Sequence, residues 1–315
     1  MSAGWVSSMQ AALVAAMAHP AWWAMSLAAF LIRGGVVLVA LPLFSLPTSA
    51  SLTTMLAPPL EALILGRPSV AGVAMAVALI VLVVGLLGVI GVAGAWLDDA
   101  LAREAADDEE LELDWAPQRH SALAALGVRL AAHVPTLLAA GFAIVRLSIA
   151  TRDELLEPGD PAVALVARVL LRAPDALAVV AFAWLVGEAV GPLAARRLGT
   201  GERAGPALRR ATGQVLGRRG LATLVVTTTI LLAIALPFVL SVGRAWENVS
   251  ASLALRLDVV TTGAALLLLA STWVLGLALL GAALAFRATA WTLLAAASPS
   301  GASPQPLPAQ EASAG

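Results

Sequence analysis

Apolar residues gather along this chain in six long runs, Trp22 to Phe44, Val70 to Leu97, Ala122 to Ile149, Ala176 to Ala195, Leu221 to Val242 and Val259 to Phe286. About twenty apolar residues cross the hydrocarbon core of a bilayer, so each run predicts one transmembrane helix, and the longer ones tilt or project beyond it. A soluble helix must show one face to water and carries charges along it; these runs carry almost none. Trp22 and Trp23 fall where interfacial aromatic anchors belong.

The connectors are of several kinds. Met1 to Pro20 places Trp5, Val6, Met9, Leu13 and Met17 at helical spacing and stops at His19-Pro20, which predicts a short amphipathic helix lying in the interface. Leu46 to Pro68, Thr151 to Arg172 and Arg244 to Leu257 mix apolar and polar residues in stretches too short or too interrupted to span, and each is expected to be an interfacial helix. The predicted fold is therefore all-α: a polytopic transmembrane helical bundle of six crossings in three hairpins, with interfacial amphipathic helices. The expected division is an interfacial helix over 1–20, a six-helix transmembrane domain over 21–297, and a disordered cytoplasmic tail over 298–315, rich in Ser, Pro, Ala and Gln.

Composition agrees with the pattern: the chain is 60% hydrophobic and 12% charged over 315 residues, outside the range of an ordinary soluble domain. It contains no Cys, Lys or Tyr. Disulfides, thiolate metal sites, cysteine nucleophiles, phosphate-cradling or Schiff-base lysines and tyrosine acids are thereby excluded. Base bias in a GC-rich genome accounts for the missing lysine, and the exclusions hold regardless. No Arg precedes Arg33, so no secretory signal is expected at the N-terminus.

The net charge of -1 hides two opposed segments. Asp98 to Asp114 holds nine acids against Arg103, while Arg196 to Arg219 holds Arg196, Arg197, Arg203, Arg209, Arg210, Arg218 and Arg219 against Glu202. The basic segment predicts a cytoplasmic loop by the positive-inside rule, and six crossings then put the acidic segment and both termini on that side, in the plasma or inner membrane. Leu208, Ala211, Val215 and Leu216 recur at helical spacing among the arginines, so the loop is expected to lie on the membrane and meet anionic lipid headgroups. The expected partners are membrane lipids and a further membrane protein. Nucleic acid is not expected, because one segment is acidic and neither sits on a soluble domain.

Ionisable residues inside crossings are costly and mark functional sites by default. Four stand out: Arg33, Arg129, His133 and Glu188. At ~1.5 Å per residue they lie ~12 to 18 Å from the cytoplasmic ends of their helices, within about a turn of one another. Glu188 is expected to pair with Arg33, with Arg129 or with both; the alternatives are a register-fixing ion pair, arginines snorkelling to the headgroups, and a transport or proton-relay role. Gly85, Gly88, Gly91 and Gly94 wind about halfway round the second crossing, which suits close packing by more than one neighbour. The histidines lack metal-ligand spacing, no catalytic constellation is detectable, and neither a metal nor another cofactor is expected. The outer acids Asp153, Glu154, Glu157 and Asp160 read as a solvated loop.

Two segments carry a family resemblance. Ala11 to Phe30, with His19-Pro20 ahead of Trp22-Trp23, and Gly201 to Arg210 followed by Arg218-Arg219, together resemble the six-helix bacterial membrane domain attached to some glycerophosphodiester phosphodiesterases and otherwise found alone. The resemblance covers roughly residues 5 to 290 and implies a membrane module without the phosphodiesterase domain, so no catalytic residue carries over. The leading functional expectation is a non-enzymatic scaffold, lipid-contacting or accessory membrane module. The alternative is a permease or ion-coupled transporter using the Arg/Glu cluster, marked by broken helices near the midplane and a polar cavity there.

Overall fold

The computed structural model describes residues 4–40, 43, 70–109, 122–160, 163–256 and 258–296, and the elements it describes are helices. In chain order they are α1 (Trp5–Ala18), α2 (Pro20–Phe30), a widened π-type turn (Leu31–Gly35), α3 (Val36–Ala40), α4 (Val70–Asp108), α5 (Ala122–Ala132), α6 (Val134–Leu156), α7 (Leu165–Leu171), α8 (Pro174–Gly199), α9 (Ala204–Leu216), α10 (Arg218–Ala254) and α11 (Val259–Ala296). The segments expected as an interfacial helix over 46–68 and as a tail over 298–315 lie outside the described residues. So does the acidic stretch from 110 to 114.

Four helices, α6, α8, α10 and α11, are long and apolar enough to cross a membrane; counting the bent pair Trp5–Ala18 and Pro20–Gly35 as one span makes five. That pair turns by 95° at His19. Pro20 has no N–H to continue α1, and the residue before a proline is forced out of the helical region; His19 accordingly sits at φ -118°, ψ 82°. Its ring stacks on Trp22 with centroids 4.3 Å apart and bonds to the Ala15 carbonyl at 3.0 Å, which holds the corner.

Three expectations about continuity change. The run from Ala122 to Ile149 is two helices: Pro135 cannot donate into the preceding turn, and His133 takes φ -94°, ψ 2° between α5 and α6. The fifth run does not stop at Val242, because α10 continues unbroken to Ala254 through Pro237; the separate interfacial helix expected at Arg244 to Leu257 is instead its last turns. The second and sixth helices also outrun their apolar stretches. α4 reaches Asp108, roughly 58 Å of helix at 1.5 Å per residue, and α11 reaches Ala296. The residues added are rich in alanine, the best helix former.

Those extensions build the core at one end of the bundle. Leu101 and Ala105 of α4 pack with Met9, Ala12 and Ala16 of α1, Trp22 of α2, and Ala285, Phe286 and Ala290 of α11. Beside them Val128 of α5, Leu193 and Leu198 of α8, Ala211 and Val215 of α9, Leu224 of α10 and Trp291 of α11 form a second cluster. Opposite this end the long helices turn large apolar side chains outward, among them Leu138, Leu267 and Val274. Close approach fixes the helix pairs: a Cβ on Gly281 of α11 would lie 2.8 Å from the Trp23 carbonyl oxygen of α2.

α11 begins under a side-chain cap. Asp258 accepts from the Thr261 N–H at 2.8 Å and its Oγ1 at 2.9 Å, the arrangement that satisfies an orphan donor at a helix start. These bonds, the backbone one first, hold its carboxyl below the usual Asp range. A carboxyl whose folded pKa is depressed contributes stability above its unfolded pKa and loses it as pH falls through the folded one. Asp258→Asn is therefore expected to flatten the acid side of the thermal-stability profile without changing the neutral side much, since Asn still caps. A profile parallel to wild type down to the acid limb would remove this role.

Candidate functional site

A cavity of about 70 Å³ lies within the packed end, bounded by α2, the π-type turn, α4, α8, α10 and α11. Its walls carry Arg33, Asp98, Glu188, Arg196 and Arg287, with Ser26, Trp184, Pro192 and Trp291 between them. Local backbone irregularity places several of these groups. Gly34 takes φ 104° inside the π-type turn, a conformation open to glycine because it lacks Cβ, and Arg33 sits in that turn with its Nε on the Ala29 carbonyl at 3.0 Å. Such a widened turn re-aims the side chains it carries and recurs at functional sites. Pro192 lies within the continuous α8; lacking an N–H, it leaves the Glu188 carbonyl without its usual helical donor.

The charges pair differently from the sequence expectation. Glu188 meets neither arginine. Its carboxylate faces His133 Nε2 at 3.4 Å, and the other ring nitrogen of His133 bonds to the Arg129 carbonyl at 2.9 Å. Arg33 and Arg129 instead share one oxygen of Asp98, at 2.6 and 2.5 Å. Asp98 belongs to the segment read as an acidic connector, but α4 continues through it and turns it inward. Small residues admit these contacts: a Cβ on Gly94 would lie 2.9 Å from Arg33 Cγ, one on Gly187 2.9 Å from His133 Cδ2, and one on Gly191 3.4 Å from Arg129 Cα. Of the four glycines of the second run, Gly91 approaches Leu126 and Gly94 approaches Arg33, and among the described residues nothing lies within 4 Å of a Cβ at Gly85 or Gly88.

The seven arginines of the basic segment also divide. Arg196 is buried in α8 and donates to the Ala288 carbonyl at 3.0 Å. Arg197 bonds to Gln214 at 2.7 Å and pairs with Glu202 at 3.3 Å, and Arg210 reaches the same Glu202 oxygen at 2.9 Å. Arg203, Arg209, Arg218 and Arg219 are exposed. The expected amphipathic helix is α9, but Ala207, Ala211 and Val215 face the protein core, so the apolar face assigned to the membrane is covered by α5, α8 and α10. Leu216 remains exposed. Gly201 takes φ 91° just past α8, as helix-ending glycines do.

Three participants were missed by reading the sequence: Asp98, Arg196 and Arg287. Each follows directly on the last residue assigned to a crossing, Leu97, Ala195 and Phe286 respectively. Arg287 is only 8% exposed. At the other end of the bundle Glu154, read as part of a solvated loop, is 2% exposed. It pairs with Arg168 at 2.6 Å and Arg172 at 2.8 Å and accepts from the Gly159 N–H at 2.7 Å, tying α6 to α7. Among the described residues no group of three or more His, Cys, Asp or Glu is arranged to hold a metal ion.

Compared with known proteins, the chain matches no protein-family model, no curated protein and no solved structure.

Proposed function

We propose that this chain is a multi-pass membrane protein of permease type, with six crossings and both termini in the cytoplasm, that receives a polar solute in the cavity bounded by Arg33, Asp98, Glu188, Arg196 and Arg287. The observation that carries this reading is helix irregularity around a cavity that five charged side chains line: the π-type turn at Leu31–Gly35 and Pro192 of α8 on its wall, with the break at His133, whose ring faces Glu188, just behind. Discontinuous helices flanking a polar site are how membrane transporters expose backbone groups and charges to a solute. In this topology α2 with α3 is the first crossing, α4 the second, α5 with α6 the third, and α8, α10 and α11 the rest. The 95° corner lays α1 in the interface, with Val6, Leu13, Val14 and Met17 turned outward. Arg203, Arg209, Arg218 and Arg219 then face the cytoplasmic surface, where anionic headgroups are partners at about 1 kcal/mol each. The reading is non-enzymatic, and it retains the resemblance to the phosphodiesterase-associated membrane domain as that of a module without its hydrolase.

The absence of native Cys makes accessibility the direct test. Cysteines placed singly at Leu231 and Leu284, on the cavity wall, are expected to react with a small charged thiol reagent in inverted vesicles, and more slowly from the outer side as the cavity alternates. Thr200→Cys is expected to react in inverted vesicles alone. Silence of both wall positions from both sides would leave a sealed bundle and favour the scaffold reading, which the Arg33–Asp98–Arg129 ion pairs support. Labelling of Thr200→Cys from outside would reverse the orientation.

A further inference from the structure

The cavity wall has a lopsided supply of hydrogen-bonding atoms. Asp98 is engaged by Arg33 and Arg129, and Glu188 faces His133. Arg196 and Arg287, 6% and 8% exposed, have no carboxylate within 4.0 Å among the described residues. Arg196 leaves Nε and Nη1 without an acceptor, and Arg287 leaves Nη2. Trp291 Nε1 and Ser26 Oγ, on the same wall, are also buried without a partner. Four of these five atoms can only donate. A buried guanidinium with nothing to accept its protons is costly, so the site as built calls for acceptors and negative charge. The surrounding set holds four guanidiniums, Arg33, Arg129, Arg196 and Arg287, against the two carboxylates.

We infer that the cavity binds an anion of the phosphate class, a free phosphate or phosphomonoester or else a phospholipid headgroup, with Arg196 and Arg287 as its guanidinium ligands and Trp291 and Ser26 as neutral donors. This rests on the cavity being the solute site. Geometry favours a tetrahedral oxyanion over a planar carboxylate, because the free donors come from three different helices, α2, α8 and α11. Guanidinium forks match phosphate oxygens bidentately, and such charge-assisted bonds are the strong ones. Asp98 and Glu188 oppose a bound anion, but their charge is already offset by Arg33, Arg129 and His133.

Binding would be measured on the whole protein in nanodiscs of zwitterionic lipid with inorganic phosphate and glycerol phosphate, and in nanodiscs with added phosphatidic acid or phosphatidylglycerol. In parallel, Ser26→Cys would be modified with a small thiol reagent in the presence and absence of each anion. Saturable binding, with the modification rate slowed at least tenfold, is expected from one source or the other: free phosphate in zwitterionic discs identifies a soluble ligand, anionic lipid alone a headgroup. Arg287→Gln and Arg287→Lys are expected to weaken binding at least tenfold, the lysine because it loses the fork, while the surface variant Arg210→Gln changes it less than twofold. Modification of Ser26→Cys unaffected by any phosphate, with acetate or a cationic solute protecting instead, overturns the phosphate assignment and leaves the permease reading standing. No modification under any condition and no binding by wild-type protein would end both.

Discussion

Replacing Asp98 with Asn is expected to be the most damaging single charge change in the protein. One carboxylate oxygen receives both Arg33 and Arg129, whose side chains are 28% and 10% exposed, and Asp98 itself is 13% exposed. Removing it strands two guanidiniums at once, and breaking a buried pair from one side typically costs ~3–5 kcal/mol. Adding Arg129→Gln to Asp98→Asn is expected to recover part of the loss, since one of the stranded charges then goes too. Glu188→Gln is expected to cost less than Asp98→Asn. Its partner His133 stands 3.4 Å away and can shed its charge, which an arginine cannot. Thermal or denaturant unfolding of these three variants, and of Arg129→Gln alone, in detergent measures the order. If Glu188→Gln proves the worse, or the double variant loses the strict sum of its singles, the shared Asp98 is not the anchor of this network.

The second large effect is steric. Gly220, in the first turn of α10, lies so close to the end of α9 that a Cβ there would sit 2.1 Å from the Gln214 carbonyl oxygen and 2.6 Å from that of Val215. Backbone atoms cannot rotate away as a side chain can, so Gly220→Ala must open the α9–α10 corner. Opening it draws Val215 from its contacts in the cluster that holds Leu193, Leu224 and Trp291. Overpacking usually costs ~1–3 kcal/mol and occasionally more, and a collision with main chain belongs at the upper end. Gly213→Ala is the internal control. Nothing lies within 4 Å of a Cβ at Gly213, and alanine is ~1 kcal/mol better than glycine inside a helix, so that variant is expected to be neutral or stabilised. Equal melting temperatures for the two variants would mean that the corner has room to spare.

The arrangement of charge explains why so much of the packed end escaped the hydropathy pattern. A window average ends a crossing where charge begins, because it cannot tell a charge that faces water from one that faces a partner. Asp98 and Arg196 were assigned to connectors for that reason, and Arg287 fell just beyond the last crossing. Yet the helices run on past all three, and their extensions supply the walls of the cavity and the cores around Leu101 and Trp291. Glu154 shows the same limit at the other end: nothing in a run of acids singles out the one that two arginines and a backbone N–H enclose.

The features legible in residue order alone were local ones. The second, fourth, fifth and sixth apolar runs predicted the long helices α4, α8, α10 and α11, proline predicted the corner at His19, and apolar residues at helical spacing among the arginines predicted α9, because these features depend on neighbours a few residues apart. Residue order also singled out Arg33, Arg129, His133 and Glu188, since a charge within an apolar run stands out wherever it points. Which charges meet depends on the packing of distant helices: Arg33 with Asp98 is a pairing across 65 positions, set by how the π-type turn after α2 lies against α4. The tertiary structure likewise decided that α9 lays its apolar face on α5, α8 and α10, because a helix's amphipathic pattern states that one face must be covered and leaves the cover to the packing.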